Sequence, residues 1–207
     1  MSVGTQGRGT SWFDDAFGDR DVMVIVRGRP PAATVALCHR AWDLGIAQVE
    51  VTVQTPDAMA SLLAAVAAGA ERGRRVGAGT VTTTDQLEAV AAAGVSFTVA
   101  PGLDDDVVRW SAEHGLPHLP GVSTPSEIQR ALRLGTGWVK VFPASVLGPA
   151  WFRAVRGPFP DLQMVATGGL VTETMASFHD AGARVAALGS ALEDERQLDA
   201  LTELLRT

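Results

Sequence analysis

The chain has 207 residues, a formal net charge of -6 and 46% apolar side chains, enough to bury one full core. Its acidic and basic residues are interspersed, which leaves no basic stripe for nucleic acid, and no polyanion partner is expected. One cysteine, Cys38, rules out an internal disulfide, and no run approaches the ~18 consecutive apolar residues of a membrane span, so a single cytoplasmic domain over residues 1–207, with no membrane partner, is expected.

Residues 1–9 are glycine-rich and polar and read as a disordered tail, after which 11–19 (SWFDDAFGD) read as a short capped helix. Short β-branched runs then alternate with segments of helical length. The strands are expected at 22–27, 47–53, 75–79, 96–100, 117–121, 137–143, 163–167 and 184–189. Helices are expected between and after them, at 32–44, 57–70, 84–93, 104–113, 125–134, 150–155, 172–181 and 194–206. Several open on a cap or an acidic turn and stop at glycine, as in TTTDQLEAVAAAG and TPSEIQRALRLG. Eight βα units at this spacing predict a (β/α)8 TIM barrel with a short N-terminal helix. An open doubly wound sheet uses the same alternation, but no GxGxxG follows the first strand and no Walker lysine is present.

The chemistry is expected at the C-terminal ends of the barrel strands. The sixth predicted strand carries Lys140, the only lysine in the chain against sixteen arginines. A guanidinium cannot serve as an amine nucleophile, whereas a lysine in an apolar setting can. The alternative is composition drift toward arginine that left one lysine behind, paired with a carboxylate. In the second strand, alternation puts Glu50, Thr52 and Gln54 on one face and Val49, Val51 and Val53 on the other. The valines suit the helix-facing side, so the polar three are expected inside the barrel, and the same parity turns Lys140 inward. An inward amine and an inward carboxylate are the pair a Schiff-base enzyme needs; a plain ion pair of Glu50 with Lys140 or Arg27 is the other reading. TGG after the seventh strand (Gly168, Gly169) and GS after the eighth (Gly189, Ser190) stand where such barrels commonly hold phosphate, or serve only as turns.

VEVTVQT, GAGTV, APGL, PGVSTPSE, WVKVFPAS, ATGG and LGS, in this order, resemble the pyruvate-dependent class I aldolases that act on 2-keto-3-deoxy-6-phosphogluconate (KDPG) and 4-hydroxy-2-oxoglutarate (KHG). The likeness runs from about Val22 to Leu192. It implies that Lys140 is the Schiff-base lysine and Glu50 the general acid/base. Thr80, Pro101 and Phe142 would line the pyruvate site, with Arg27, Thr52 and Gln54 also binding substrate. Gly168, Gly169, Gly189 and Ser190 would hold the phosphate. It further implies a homotrimer, a phosphorylated 2-keto acid and pyruvate as small-molecule partners, and no cofactor or metal beyond the covalent lysine.

One position departs from that pattern. Gluconate-type members carry EVTLRT, with an arginine for the substrate carboxylate, where this chain has EVTVQT and hence Gln54. Arg27 could supply the charge instead. The related 2-keto-3-deoxy-6-phosphogalactonate aldolases look similar here, so they stand as an alternative, as does a non-aldolase phosphate-binding barrel: an isomerase, a decarboxylase or a silent binding protein. No metal site is expected. His114 and His118 are separated by GLP and do not share a helical face, and Asp104, Asp105 and Asp106 read as a helix start.

Overall fold

A computed structural model describes residues 11–19, 21–189 and 191–205. The expected tail at 1–9 lies outside them. Strands β1 (Val22–Val26), β2 (Gln48–Thr52), β3 (Val76–Gly79), β4 (Phe97–Val99), β5 (His118–Leu119), β6 (Gly121–Val122), β7 (Trp138–Val141), β8 (Gln163–Thr167) and β9 (Val185–Leu188) are all parallel to their neighbours. They follow or precede helices α1 (Trp12–Phe17), α2 (Pro31–Asp43), α3 (Ala58–Glu71), α4 (Thr84–Ala92), α5 (Asp105–His114), α6 (Pro125–Arg133), α7 (Ala144–Arg156), α8 (Met175–Asp180) and α9 (Glu195–Leu204).

The sheet order is β5-β4-β3-β2-β1-β9-β8-β7-β6. Its two ends, β5 and β6, are consecutive in the chain and flank Pro120, so they form one stave of a (β/α)8 barrel. Proline has no N–H to give a ladder and interrupts the strand there. Its carbonyl still accepts from Lys140 N at 2.8 Å, and the pairings β4–β5 and β6–β7 close the ring.

Alternation sorts the side chains into two apolar layers. Val22, Val24, Val26, Val49, Val51, Val139 and Val141 pack outward with helix residues such as Cys38, Trp42, Leu62 and Phe152. Met23, Ile25, Phe97, Val99, Leu119, Trp138 and Val165 fill the interior, together with Phe13 and Phe17 of α1. That helix forms where it was expected: the Ser11 side chain accepts from Phe13 N, and the Asp14 carboxylate accepts from Ser11 N at 2.7 Å, a capping box. It stops the N-terminal mouth of the barrel. Gln48 Nε2 donates to Ala16 O at 2.7 Å, Trp138 Nε1 donates to Asp14 Oδ1 at 2.9 Å, and the Phe17 and Trp138 rings stack at 5.3 Å. The charged side chains of the interior stand toward the opposite, C-terminal mouth.

Most boundaries shift by a residue or two; the expected strand 117–121 is split at Pro120, and the largest shifts follow β7. β7 ends at Val141, and α7 begins at Ala144 rather than at residue 150. Its first turn precedes a break at Gly148 (φ 75°) and Pro149, residues that read as a loop signal although a helical turn fits in front of them.

Candidate active site

β2 and β7 each deliver one charged side chain to the interior. Glu50 is fully buried and Lys140 is 2% exposed, both on the inner face as alternation requires, and Lys140 Nζ stands 3.9 Å from Glu50 Oε1. That is an ion-pair contact longer than a hydrogen bond. Neither carboxylate oxygen of Glu50 has a hydrogen-bond partner among the described residues, and the buried Thr52 Oγ1 beside it has none either. Such orphaned polar atoms are uncommon in interiors and costly, so they point to groups kept for a reacting partner. Burial pushes the Glu50 carboxyl above the ordinary glutamate range, partly offset by the positive charges of Lys140 and Arg27. Lys140 Nζ also lies 5.4 Å from the centroid of the Phe142 ring.

The other expected residues ring this pair at different depths. Arg27 is exposed immediately after β1, close enough for its charge to act on Glu50. Thr80, half-buried after β3, holds φ at 63°, a left-handed conformation unusual for a β-branched residue. Pro101 lies two residues past the end of β4, next to Gly102, whose carbonyl accepts from Gly121 N at 3.0 Å. Gly168 and Gly169 follow β8 with φ of 98° and 71°. A Cβ on Gly168 would stand 2.9 Å from the Phe142 ring, and one on Gly169 would overlap Ser145 Oγ. These glycines are therefore needed both for the turn and for the close approach. Gly189, at the end of β9, is exposed and has open space around it. Ser190 lies outside the described residues.

Gln54 does not follow the inward parity expected of it. β2 ends at Thr52, Val53 N makes a last bond to Gly79 O at 2.8 Å, and the chain then turns through Thr55 and Pro56 into α3. Gln54 is exposed and lines a groove between α3 and α4 with Met59 and Gln86, so the barrel interior holds Glu50 and Thr52 without it.

Ser145 was not singled out from sequence. It sits in the first turn of α7, donates its N–H to Gly168 O at 3.0 Å and places its hydroxyl against Gly169. The signal was present, since a serine two residues after a proline at a helix start is a common first-turn residue. Among the described residues no group of three His, Cys, Asp or Glu could hold a metal ion. Asp104 is a cap, accepting from Asp106 N and Val107 N at 2.9 and 3.1 Å. His118 is buried against Thr98 Oγ1 at 2.8 Å, and burial pulls its pKa down to about 4. Burial likewise pushes the Cys38 thiol up to about 12, which makes it an inert core residue.

A buried amine and a buried carboxyl facing each other can, respectively, add to a ketone and shuttle protons at its neighbouring carbons. Comparison with known proteins meets this geometry. Residues 16–204 match the aldolase family described as KDPG and KHG aldolase. A protein of Rhizobium meliloti (strain 1021) named "Probable 2-dehydro-3-deoxy-6-phosphogalactonate aldolase" is 36% identical over 175 residues, 84% of this chain and 82% of that protein. A 2-dehydro-3-deoxy-phosphogluconate aldolase of Pseudomonas aeruginosa is 38% identical over 136 residues, 65% of this chain and 60% of the relative. A solved structure described as native KDPGal superposes with a TM-score of 0.81 at 30% identity, covering 89% of this chain and 92% of that one.

Proposed function

The chain belongs to the KDPG and KHG aldolase family, and on that premise we propose a Schiff-base aldolase that reversibly cleaves a 2-dehydro-3-deoxy-6-phospho sugar acid into pyruvate and glyceraldehyde 3-phosphate. The observation that carries the reading is the buried Lys140–Glu50 pair, held at 3.9 Å with both carboxylate oxygens unpartnered among the described residues.

In cleavage, Lys140 Nζ adds to the C2 carbonyl carbon, the oxygen leaves as water, and an iminium remains. Glu50, directly or through water, takes the proton from the C4 hydroxyl. The O–H electron pair becomes the new aldehyde π bond. The C3–C4 pair moves into a C2–C3 double bond and neutralises the iminium nitrogen as an enamine. Glyceraldehyde 3-phosphate departs, Glu50 returns its proton to C3, and water hydrolyses the pyruvate iminium to free the amine. The iminium is the electron sink throughout, so no step is routed through a cofactor or a metal.

The surrounding residues take roles that fit their positions. Phe142, Thr80 and Pro101 border the pyruvate end, and the orphaned Thr52 hydroxyl is free to bond substrate oxygen. Arg27 is the cation available for the carboxylate, with Gln54 outside the barrel. Gly168, Gly169, Gly189 and Ser190, with Ser145 at the start of α7, take the phosphate. A helix start and glycine N–H groups suit an anion.

The gluconate and galactonate acids are epimers at C4. Likeness to a galactonate-named relative over more of the chain, with Arg27 rather than residue 54 offering the cation, supports the galactonate epimer as the preferred substrate. Steady-state kinetics with both epimers and with 4-hydroxy-2-oxoglutarate test this. The expected result is kcat/KM highest for the galactonate form and at least about tenfold lower for the unphosphorylated acid, the order of one lost charge-assisted contact. A preference for the gluconate form would overturn the substrate choice and leave the Schiff-base chemistry standing.

A further inference from the structure

We propose that Gly79 is a positioning residue: by presenting no side chain on the inner face of β3, it lets the Glu50 carboxylate lie across that strand toward Lys140. The inference rests on the reading of Glu50 as the proton carrier and adds a residue to it.

β2 and β3 pair so that Glu50 stands opposite Gly77 and Thr52 opposite Gly79. The Glu50 side chain nevertheless leans past its own partner to the glycine two residues nearer the mouth. A Cβ on Gly79 would overlap Glu50 Oε1 and stand 2.5 Å from its carboxyl carbon and 2.6 Å from its Cγ. The space opposite Glu50, at Gly77, is taken by another group: a Cβ there would overlap the Phe97 ring and stand 2.6 Å from its Cε1. The two inward glycines of β3 thus make room for different things, an aromatic ring in the core and a carboxylate in the site.

What yields to an added methyl differs accordingly. Phe97 is 1% exposed and packs against the rings of Trp12 and Phe13 at centroid distances of 5.4 and 6.1 Å, so it has nowhere to go. The Glu50 carboxylate is the end of a flexible side chain, and no hydrogen bond among the described residues holds it. Gly77→Ala therefore falls on the fold. Gly79→Ala falls on the carboxylate, turning it away from Lys140 while the barrel closes as before.

A double-mutant cycle separates these effects. Gly79→Ala and Gly77→Ala are each made in the parent and in a Glu50→Ala background, and kcat, its pH profile and the thermal unfolding midpoint are measured. Gly79→Ala is expected to lower kcat at least tenfold and to shift the acid limb of the profile, with a midpoint close to the parent's. It is expected to cost nothing further once Glu50 is alanine. Gly77→Ala is expected to lower the midpoint in both backgrounds equally. A Gly79→Ala chain that fails to fold while Glu50→Ala/Gly79→Ala folds still places the clash on Glu50. The proposal is overturned if Gly79→Ala leaves kcat and its pH profile unchanged, or costs the same factor with and without Glu50. Near-parent kcat in Glu50→Ala alone would instead remove the proton-carrier reading.

Discussion

Glu50 is a fully buried carboxyl whose two oxygens find no hydrogen-bond partner among the described residues, with Lys140 as its near cation and Arg27 as a more distant one. Burial is the largest influence on it and acts against ionisation; the two positive charges act for it and only partly compensate. A base must be ionised to accept the C4 proton, so a raised pKa in the free protein moves the acid limb of kcat/KM upward from the ordinary glutamate value of roughly 4.3. Arg27→Gln removes one of the two compensating charges. The acid limb of kcat/KM is therefore expected to move to still higher pH, by up to about one unit for a partly screened charge. A limb that stays in place or moves down would show that Arg27 does not act on Glu50. Thr80 is the other unusual residue here, since φ of 63° in a β-branched side chain is a strain the surrounding barrel has to impose.

At the scale of elements, α1 closes one end of the barrel while the chemistry occupies the other. Phe17, 1% exposed and stacked on Trp138 at 5.3 Å, is the centre of that closure. Phe17→Ala is expected to lower unfolding stability by about 3–5 kcal/mol, the usual cost of emptying a large aromatic site. The folded fraction should keep kcat within about threefold, because Glu50 and Lys140 lie above the plug; denaturant melts read beside turnover check both. Elements of this kind were legible because their signals are local: the Ser11 capping box, β-branched runs, and the glycine stops after helices. Where the sequence misled, the cause was not local. Pro120 splits a stave between two neighbours. The Gly148–Pro149 pair reads as a loop although a helical turn precedes it. Strand parity extended to Gln54 fails because β2 gives way to a turn one residue earlier.

The whole molecule sets an apolar sleeve of helix-facing valines around an interior that is apolar near α1 and polar near the open mouth. Lys140 and Glu50 could be found in sequence because one is the only lysine and the other lies on the polar face of an otherwise apolar strand. The lean of Glu50 over Gly79 could not, since it depends on the diagonal between two paired strands that no single-strand pattern reveals. Among the described residues no helix is long and apolar enough to cross a membrane. With one lysine in 207 residues, a reduced imine can sit only on Lys140 or on an N-terminal amine, and a peptide map separates the two. The most direct measurement is the intact mass and peptide map of the protein after incubation with pyruvate and sodium borohydride. The account predicts one carboxyethyl adduct on the peptide that contains Lys140, absent from Lys140→Arg. A folded protein that gains no adduct, or gains one only at its N-terminal amine, would contradict it.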